Sequence, residues 1–79
     1  MKKRIPVQVS PGMFSSERYV VFQEGGREYS LFVDADSVQD GTLEVQVVES
    51  QNGRALIELP RDTNAGSRVF VASERLLPA

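Results

Sequence analysis

The sequence predicts a small all-β domain, an antiparallel barrel or meander of five to six strands with short 3₁₀ turns. Short runs of β-branched and aromatic residues recur along the chain. Two pairs of these runs flank Gly25-Gly26 and Asn52-Gly53, dipeptides typical of two-residue hairpin turns. At 79 residues we expect a single domain with a thin core. The strands are predicted near residues 5–9, 18–23, 27–33, 42–49, 54–60 and 67–72.

The first predicted strand shows the period-2 pattern of a half-buried strand between Ile5 and Val9. Pro6 cannot donate to a β-ladder, so the strand is expected either at a sheet edge or with Pro6 in its own first turn. Residues 1–4 are expected to form a mobile basic terminus. Met13 and Phe14 follow in a loop, where we expect them to cover one end of the core.

The first hairpin is predicted around Gly25-Gly26 as a type I′ turn, because both positions require positive φ. This register places Phe22 opposite Tyr29 and makes one face of the hairpin apolar. The other face carries further apolar residues, such as Phe32. The sheet is therefore expected to curl into a barrel.

The connection Asp34–Gly41 is acidic, with Val38 as the expected apolar anchor of a 3₁₀ turn. Counted as a calcium-binding loop from Asp34, position five is Val38 and position twelve is Val45, neither of which offers a side-chain oxygen. The acids are therefore interpreted as solvated turn residues, and no metal site is predicted.

The second hairpin spans Thr42–Pro60, and its turn can be predicted by matching apolar faces. A regular two-residue Asn-Gly loop would pair Val47 with a glutamate. A three-residue loop Gln51–Gly53, with Gly53 in the left-handed region, pairs Val47 with Ile57 instead. We predict this three-residue G1-bulge turn, although the doublet Val47-Val48 leaves room for a bulge within the strand.

The last predicted strand, Ser67–Ala72, is followed by an expected 3₁₀ turn at Ser73–Arg75 and by a leucine, Leu76 or Leu77, that turns back onto the core. The stretch SRVFVASERLLP resembles the closing strand and 3₁₀ turn of SH3-like small barrels, including short bacterial proteins of that type. The matching residues are Val69, Val71, Ala72 and Leu76. The chain has no Trp, so the resemblance does not imply binding of proline-rich ligands. Sm-like and OB-type barrels are alternatives.

The composition argues against catalysis. The chain has no His and no Cys, and its only lysines lie in the N-terminal tail. It therefore lacks the usual proton shuttle and thiol nucleophile. We predict no enzyme, no cofactor and no metal. No apolar run reaches the length of a membrane helix, and the opening residues lack the apolar core of a signal peptide. The absence of Cys fits a cytoplasmic protein.

The charge pattern bears on possible partners. Lys2, Lys3 and Arg4 are basic, but from Ile5 onward six arginines face eleven acids, a net charge of −5. An acidic body disfavours nucleic acid as a ligand. That class of ligand is kept as the alternative, with Tyr19 or Phe70 as a stacking platform. The basic residues it would use are Arg18, Arg27, Arg54, Arg61, Arg68 and Arg75.

The most informative surface feature is apolar. Five residues fall on the strand faces opposite the predicted core: Tyr19, Phe32, Val48, Leu56 and Phe70. If the barrel curls strongly, these side chains are buried as well. If it does not, they form an exposed apolar patch of the kind that marks partner sites. The leading hypothesis is therefore a non-catalytic module that binds a protein partner or forms a homodimer.

Overall fold

The computed structural model describes residues 1–79 and contains nine β-strands. The strands are β1 (Lys2–Pro6), β2 (Gln8–Pro11), β3 (Glu17–Glu24), β4 (Arg27–Asp34), β5 (Val38–Gln39), β6 (Thr42–Gln51), β7 (Arg54–Thr63), β8 (Gly66–Ala72) and β9 (Leu77–Pro78). Two 3₁₀ turns, Ala35–Ser37 and Ser73–Arg75, complete the structure.

The strands form two antiparallel sheets, which confirms the predicted all-β class. The large sheet has six strands in the order β8-β7-β6-β1-β9, with β5 also paired to β6, and the small sheet has the order β2-β3-β4. The two sheets are not closed into a barrel. Instead β4 and β8 are each edge strands, so the ladder that would complete a barrel is missing between them.

The first strand begins earlier than predicted and is divided in two. Residues 2–4, expected to be a mobile terminus, lie in β1 opposite residues 44–46 of β6. After Val7 the chain moves into the small sheet as β2. The Val7 N–H donates to the Gly41 carbonyl at 2.9 Å, which holds the chain at the point where it changes sheets. Strands that switch sheets in this way form the corners of small β-structures.

The Gly25-Gly26 hairpin has the predicted register. Both glycines have positive φ, 60° and 79°, as a type I′ turn requires. Phe22 pairs with Tyr29, and their rings stack with centroids 5.2 Å apart.

The second hairpin keeps the predicted pairing but reaches it by another route. Val47 does lie opposite Ile57. However, the predicted three-residue turn is wrong: Gln51 pairs with Arg54, and residues 52 and 53 both have positive φ, 53° and 78°, as in a two-residue type I′ turn. A bulge at Val48 restores the alignment of the apolar faces, because burying Val47 against the core outweighs the cost of one irregular ladder step.

One cluster of twelve buried apolar residues lies between the sheets: Ile5, Val20, Phe22, Leu31, Val33, Leu43, Val45, Ala55, Ile57, Leu59, Val69 and Val71. The second predicted 3₁₀ turn, Ser73–Arg75, is present, and Leu76 packs against the core after it. Val38 likewise packs against the core after the first 3₁₀ turn. Both apolar anchors are therefore where the sequence predicts them.

The loop between β2 and β3 contradicts its prediction. Met13 and Phe14 do not cover the core; their exposed fractions are 80% and 68%. Glu17, the first residue of β3, holds the loop through two hydrogen bonds. The Met13 N–H donates to the Glu17 carboxylate at 2.9 Å, and the Glu17 N–H donates to the Phe14 carbonyl at 3.0 Å. These hydrogen bonds turn the two apolar side chains outward.

Candidate partner-binding surfaces

The structure divides the five predicted surface residues between two faces. Val48, Leu56 and Phe70 lie on the outer face of the large sheet, here called the β8 patch. Tyr19 and Phe32 pair on the outer face of the small sheet, here called the β4 patch. Because the core lies between the sheets, the two outer faces point away from each other, and the five residues do not form one continuous surface.

The β8 patch runs across three adjacent strands. Phe70 of β8 pairs with Leu56 of β7, and Val48 occupies the bulge of β6 beside them. Phe70 and Val48 are each 45% exposed. The Arg54 guanidinium lies over the Phe70 ring, 5.9 Å from its centroid, in cation–π geometry. An apolar surface with an adjoining arginine is thus open to solvent.

The β4 patch is smaller. The rings of Tyr19 and Phe32 have centroids 4.9 Å apart with an interplanar angle of 47°, and Phe32 is 44% exposed. The two rings pack against each other, and the β4 patch spans two strands where the β8 patch spans three.

A cleft opens where a barrel would have closed. It has a volume of about 400 Å³ and lies between β8 and the Gly25-Gly26 end of the β3–β4 hairpin. Three arginines and two aromatic residues line this seam cleft: Arg27, Arg54, Arg68, Tyr29 and Phe70. Phe70 therefore belongs both to the β8 patch and to the seam cleft.

Four of the six arginines of the nucleic-acid alternative are engaged within the protein. Arg61 pairs with Asp34 at 3.3 Å, Arg68 pairs with Glu58 at 2.6 Å, and Arg75 pairs with Glu24. Arg18 donates to the backbone carbonyls of residues 15 and 17. The remaining two, Arg27 and Arg54, form no salt bridge, and both line the seam cleft.

The structure perturbs the titration of Glu58. Hydrogen bonds from the Ser67 side chain and then from Arg68, together with the positive charge of Arg68, hold the pKa of Glu58 below its usual value. Glu58 therefore loses its charge at a lower pH than an unperturbed glutamate would, which favours its pairing with Arg68.

A second cleft of about 400 Å³ lies where the chain changes sheets, beside Val7 and Phe22. The charged residue in its lining is Arg75, which Glu24 already neutralises. No group of three or more His, Cys, Asp or Glu side chains is placed to hold a metal ion. No helix has the length and apolar character needed to cross a membrane.

The sequence reasoning missed two features of these surfaces. One is the outward Met13-Phe14 pair; its local signal is Gly12, where an added Cβ would lie 2.8 Å from the Glu17 side chain. The other is the seam cleft, which had no local signal because it brings together strands distant in the sequence.

Comparisons with protein-family models, curated protein sequences and solved structures find no match to the chain.

Proposed function

We propose that this protein is a non-catalytic interaction module that binds a protein partner, or a second copy of itself, through the β8 patch. The observation that carries the proposal is the exposure of Val48 and Phe70 beside Leu56 in a chain with only twelve buried residues. A chain this short benefits from burying every large apolar side chain it has. Leaving these residues in water fits a surface that is covered in a complex.

The SH3-like architecture is part of the same proposal. Two features support it: β8 is followed by the 3₁₀ turn Ser73–Arg75, and Leu76 returns to the core. A bacterial, cytoplasmic origin is proposed from the resemblance and from the absence of Cys. The seam between β4 and β8 means that the barrel form would be an open one.

Binding of single-stranded nucleic acid is the second candidate, because Arg27 and Arg54 are free of salt bridges and lie near Phe70. The affinity of a protein for nucleic acid grows with the number of phosphates that it neutralises. Two free arginines would therefore bind a phosphate backbone only weakly. The net charge of −5 from Ile5 onward opposes it further. We therefore rank it below a protein partner.

The test compares two matched variants, Phe70→Glu and Phe32→Glu. Both residues are similarly exposed, 45% and 44%, so each variant adds one charge to an equally open aromatic site. The two sites lie on opposite faces. Backbone amide spectra first establish that both variants remain folded. Each variant is then compared with the wild type by light scattering over a concentration series and by quantitative affinity capture from a bacterial lysate.

The proposal expects a reproducible partner, or a concentration-dependent dimer, that Phe70→Glu loses by about tenfold or more and Phe32→Glu retains. A wild-type protein that stays monomeric and captures nothing reproducibly would overturn it. Equal loss in both variants would show that the β8 patch is not the binding surface.

A further inference from the structure

We propose that the seam cleft binds an extended acidic peptide, which pairs with the free edge of β8 as an added strand. The inference rests on the proposed function and deepens it by giving the partner a conformation and a charge. Four observations carry it: a free strand edge, a blocked edge opposite, unneutralised arginines and an adjoining apolar surface.

The free edge belongs to β8, which pairs with β7 on one side only. The orientation of its backbone follows from Ala72, whose N–H leaves the sheet and donates to the Glu24 carboxylate at 3.3 Å. Because every second residue of a strand directs its N–H and C=O to the same edge, Phe70 and Arg68 present theirs outward too. These groups form a short row of donors and acceptors that matches the backbone of another extended chain.

The opposite edge, on β4, is occupied by a side chain. The Asn64 amide donates to the Glu28 carbonyl and accepts from the Ser30 N–H, both at 3.2 Å. Asn64 thus takes the place that a neighbouring strand would hold beside β4. An incoming peptide therefore has β8, and not this part of β4, available for pairing.

The charges of the cleft select the side chains of that peptide. Arg27 and Arg54 form no salt bridge, and the lining residue of opposite charge, Glu24, is already bound to Arg75. The cleft is thus positively charged within a protein whose remaining surface is acidic. Acidic side chains alternating along a strand would reach the arginines while its backbone pairs with β8.

Other occupants fit less well. Pairing of β8 with the β8 of a second copy would bring two arginine-lined clefts together. A nucleic-acid backbone offers phosphate acceptors to the arginines, but it has no alternating donors and acceptors to match the outward N–H and C=O groups of Phe70 and Arg68. A peptide satisfies both the strand edge and the charges, and its apolar residues would lie near the β8 patch through Phe70.

The probe is a synthetic peptide of about seven residues, Glu-Val-Glu-Val-Asp-Val-Glu with blocked ends, which spans roughly 23 Å when extended. Titration into isotopically labelled protein should shift the amide signals of residues 68 and 70 and slow their hydrogen exchange. A peptide with lysine at every acidic position is the charge control. Oligothymidylate tests the nucleic-acid occupant, and light scattering tests the second copy.

Variants separate charge from strand pairing. Arg27→Gln and Arg54→Gln should each weaken peptide binding about three- to tenfold, whereas the matched control Arg61→Gln, outside the cleft, should leave it unchanged. Phe70→Val keeps the outward N–H, and Phe70→Pro removes it without removing a ladder bond to β7. The proline variant should bind at least tenfold more weakly than the valine variant.

The inference is overturned if the acidic peptide does not bind, if the lysine peptide binds equally well, or if oligothymidylate or self-association alone protects the β8 edge. It fails separately from the proposed function. Partner capture that depends on Phe70 in a protein that ignores the acidic peptide would sustain the interaction module and reject this occupant. Peptide binding without any captured partner or dimer would support the acidic-peptide site in the seam cleft and would contradict the proposed binding through the β8 patch.

Discussion

Glu24 and Arg75, 51 positions apart in the sequence, form the salt bridge that joins the two sheets at one end. Their side chains are the least exposed of any ion pair in the protein, at 14% and 30%. Glu24 ends β3 in the small sheet and also accepts the Ala72 N–H, while Arg75 donates to the Gln23 carbonyl. The pair thus fixes the position of the Gly25-Gly26 hairpin against the end of β8.

Loss of this pair should destabilise the protein and loosen the seam. We expect Arg75→Gln to lower the free energy of unfolding by about 1–2 kcal/mol, since it removes a partly buried, charge-assisted contact. Urea denaturation measures the change. The control is Arg61→Gln, whose salt bridge with Asp34 is exposed, and we expect it to lower the free energy of unfolding by only about 0–0.5 kcal/mol. Equal effects of the two substitutions would show that burial at Arg75 adds nothing.

Asn64 should protect the edge of β4. Asn64→Ala removes both hydrogen bonds to β4, and we expect a loss of about 1–2 kcal/mol in stability and faster hydrogen exchange at the Ser30 amide. Asn64→Asp keeps the acceptor for Ser30 but sets an anion against the Glu28 carbonyl. It should preserve more of the Ser30 protection than Asn64→Ala does. Unchanged exchange at Ser30 in both variants would contradict the structural role of Asn64.

Gly12 should be required for the outward Met13-Phe14 loop. A Cβ at Gly12 would lie 2.8 Å from the Glu17 Cγ and 2.9 Å from its backbone carbonyl carbon, so Gly12→Ala must displace the loop. We expect a destabilisation of about 1–3 kcal/mol and a changed Met13 amide signal. Adding Glu17→Ala to Gly12→Ala should recover only part of the loss, because the backbone contact persists. Wild-type stability in Gly12→Ala would refute this constraint.

Glu58 should make stability depend on acidity. The folded state lowers its pKa, so the unfolded chain binds the proton more tightly. The contribution is therefore present above the usual glutamate pKa and is lost as pH falls through the lower folded value. The stability difference between wild type and Glu58→Gln should be larger at about pH 7 than at about pH 3. Ser67→Ala and Arg68→Gln should each raise the Glu58 pKa in an NMR titration, whereas a wild-type midpoint at or above the usual value would exclude the effect.

Deletion of Val48 should give a regular hairpin. With the bulge residue removed, Val47 still faces Ile57 and Glu49 still faces Leu56, so the register and the inward faces are kept. We expect the deletion variant to fold, with stability within about 1.5 kcal/mol of the wild type and cross-strand contacts of Val47 with Ile57 intact. Deletion of Ile57, a core residue, is the control and should prevent folding. A shifted register in the Val48 deletion would show that the bulge serves another purpose.

The sequence by itself determined the local elements. The Gly25-Gly26 hairpin follows from two adjacent residues that tolerate positive φ and from the alternation beside them. The pairing of Val47 with Ile57 follows from matching apolar faces. The type of turn that produces this pairing could not be predicted from the sequence. A two-residue turn with a bulge at Val48 and a three-residue turn without one both match the same apolar pattern. The prediction that Met13 and Phe14 cover one end of the core was wrong for a similar reason. The apolar character of the two residues does not reveal that Glu17 holds their loop away from the core.

Only the tertiary structure decided whether the sheet closes and what its edges expose. Alternation assigns each side chain to a face, but it says nothing about which strands meet at an edge. That depends on contacts between distant residues, such as Glu24 with Arg75 and Asn64 with Ser30. In the folded protein β4 and β8 are two separate edges, the five predicted surface residues lie on opposite faces, and an arginine-lined cleft opens between the sheets.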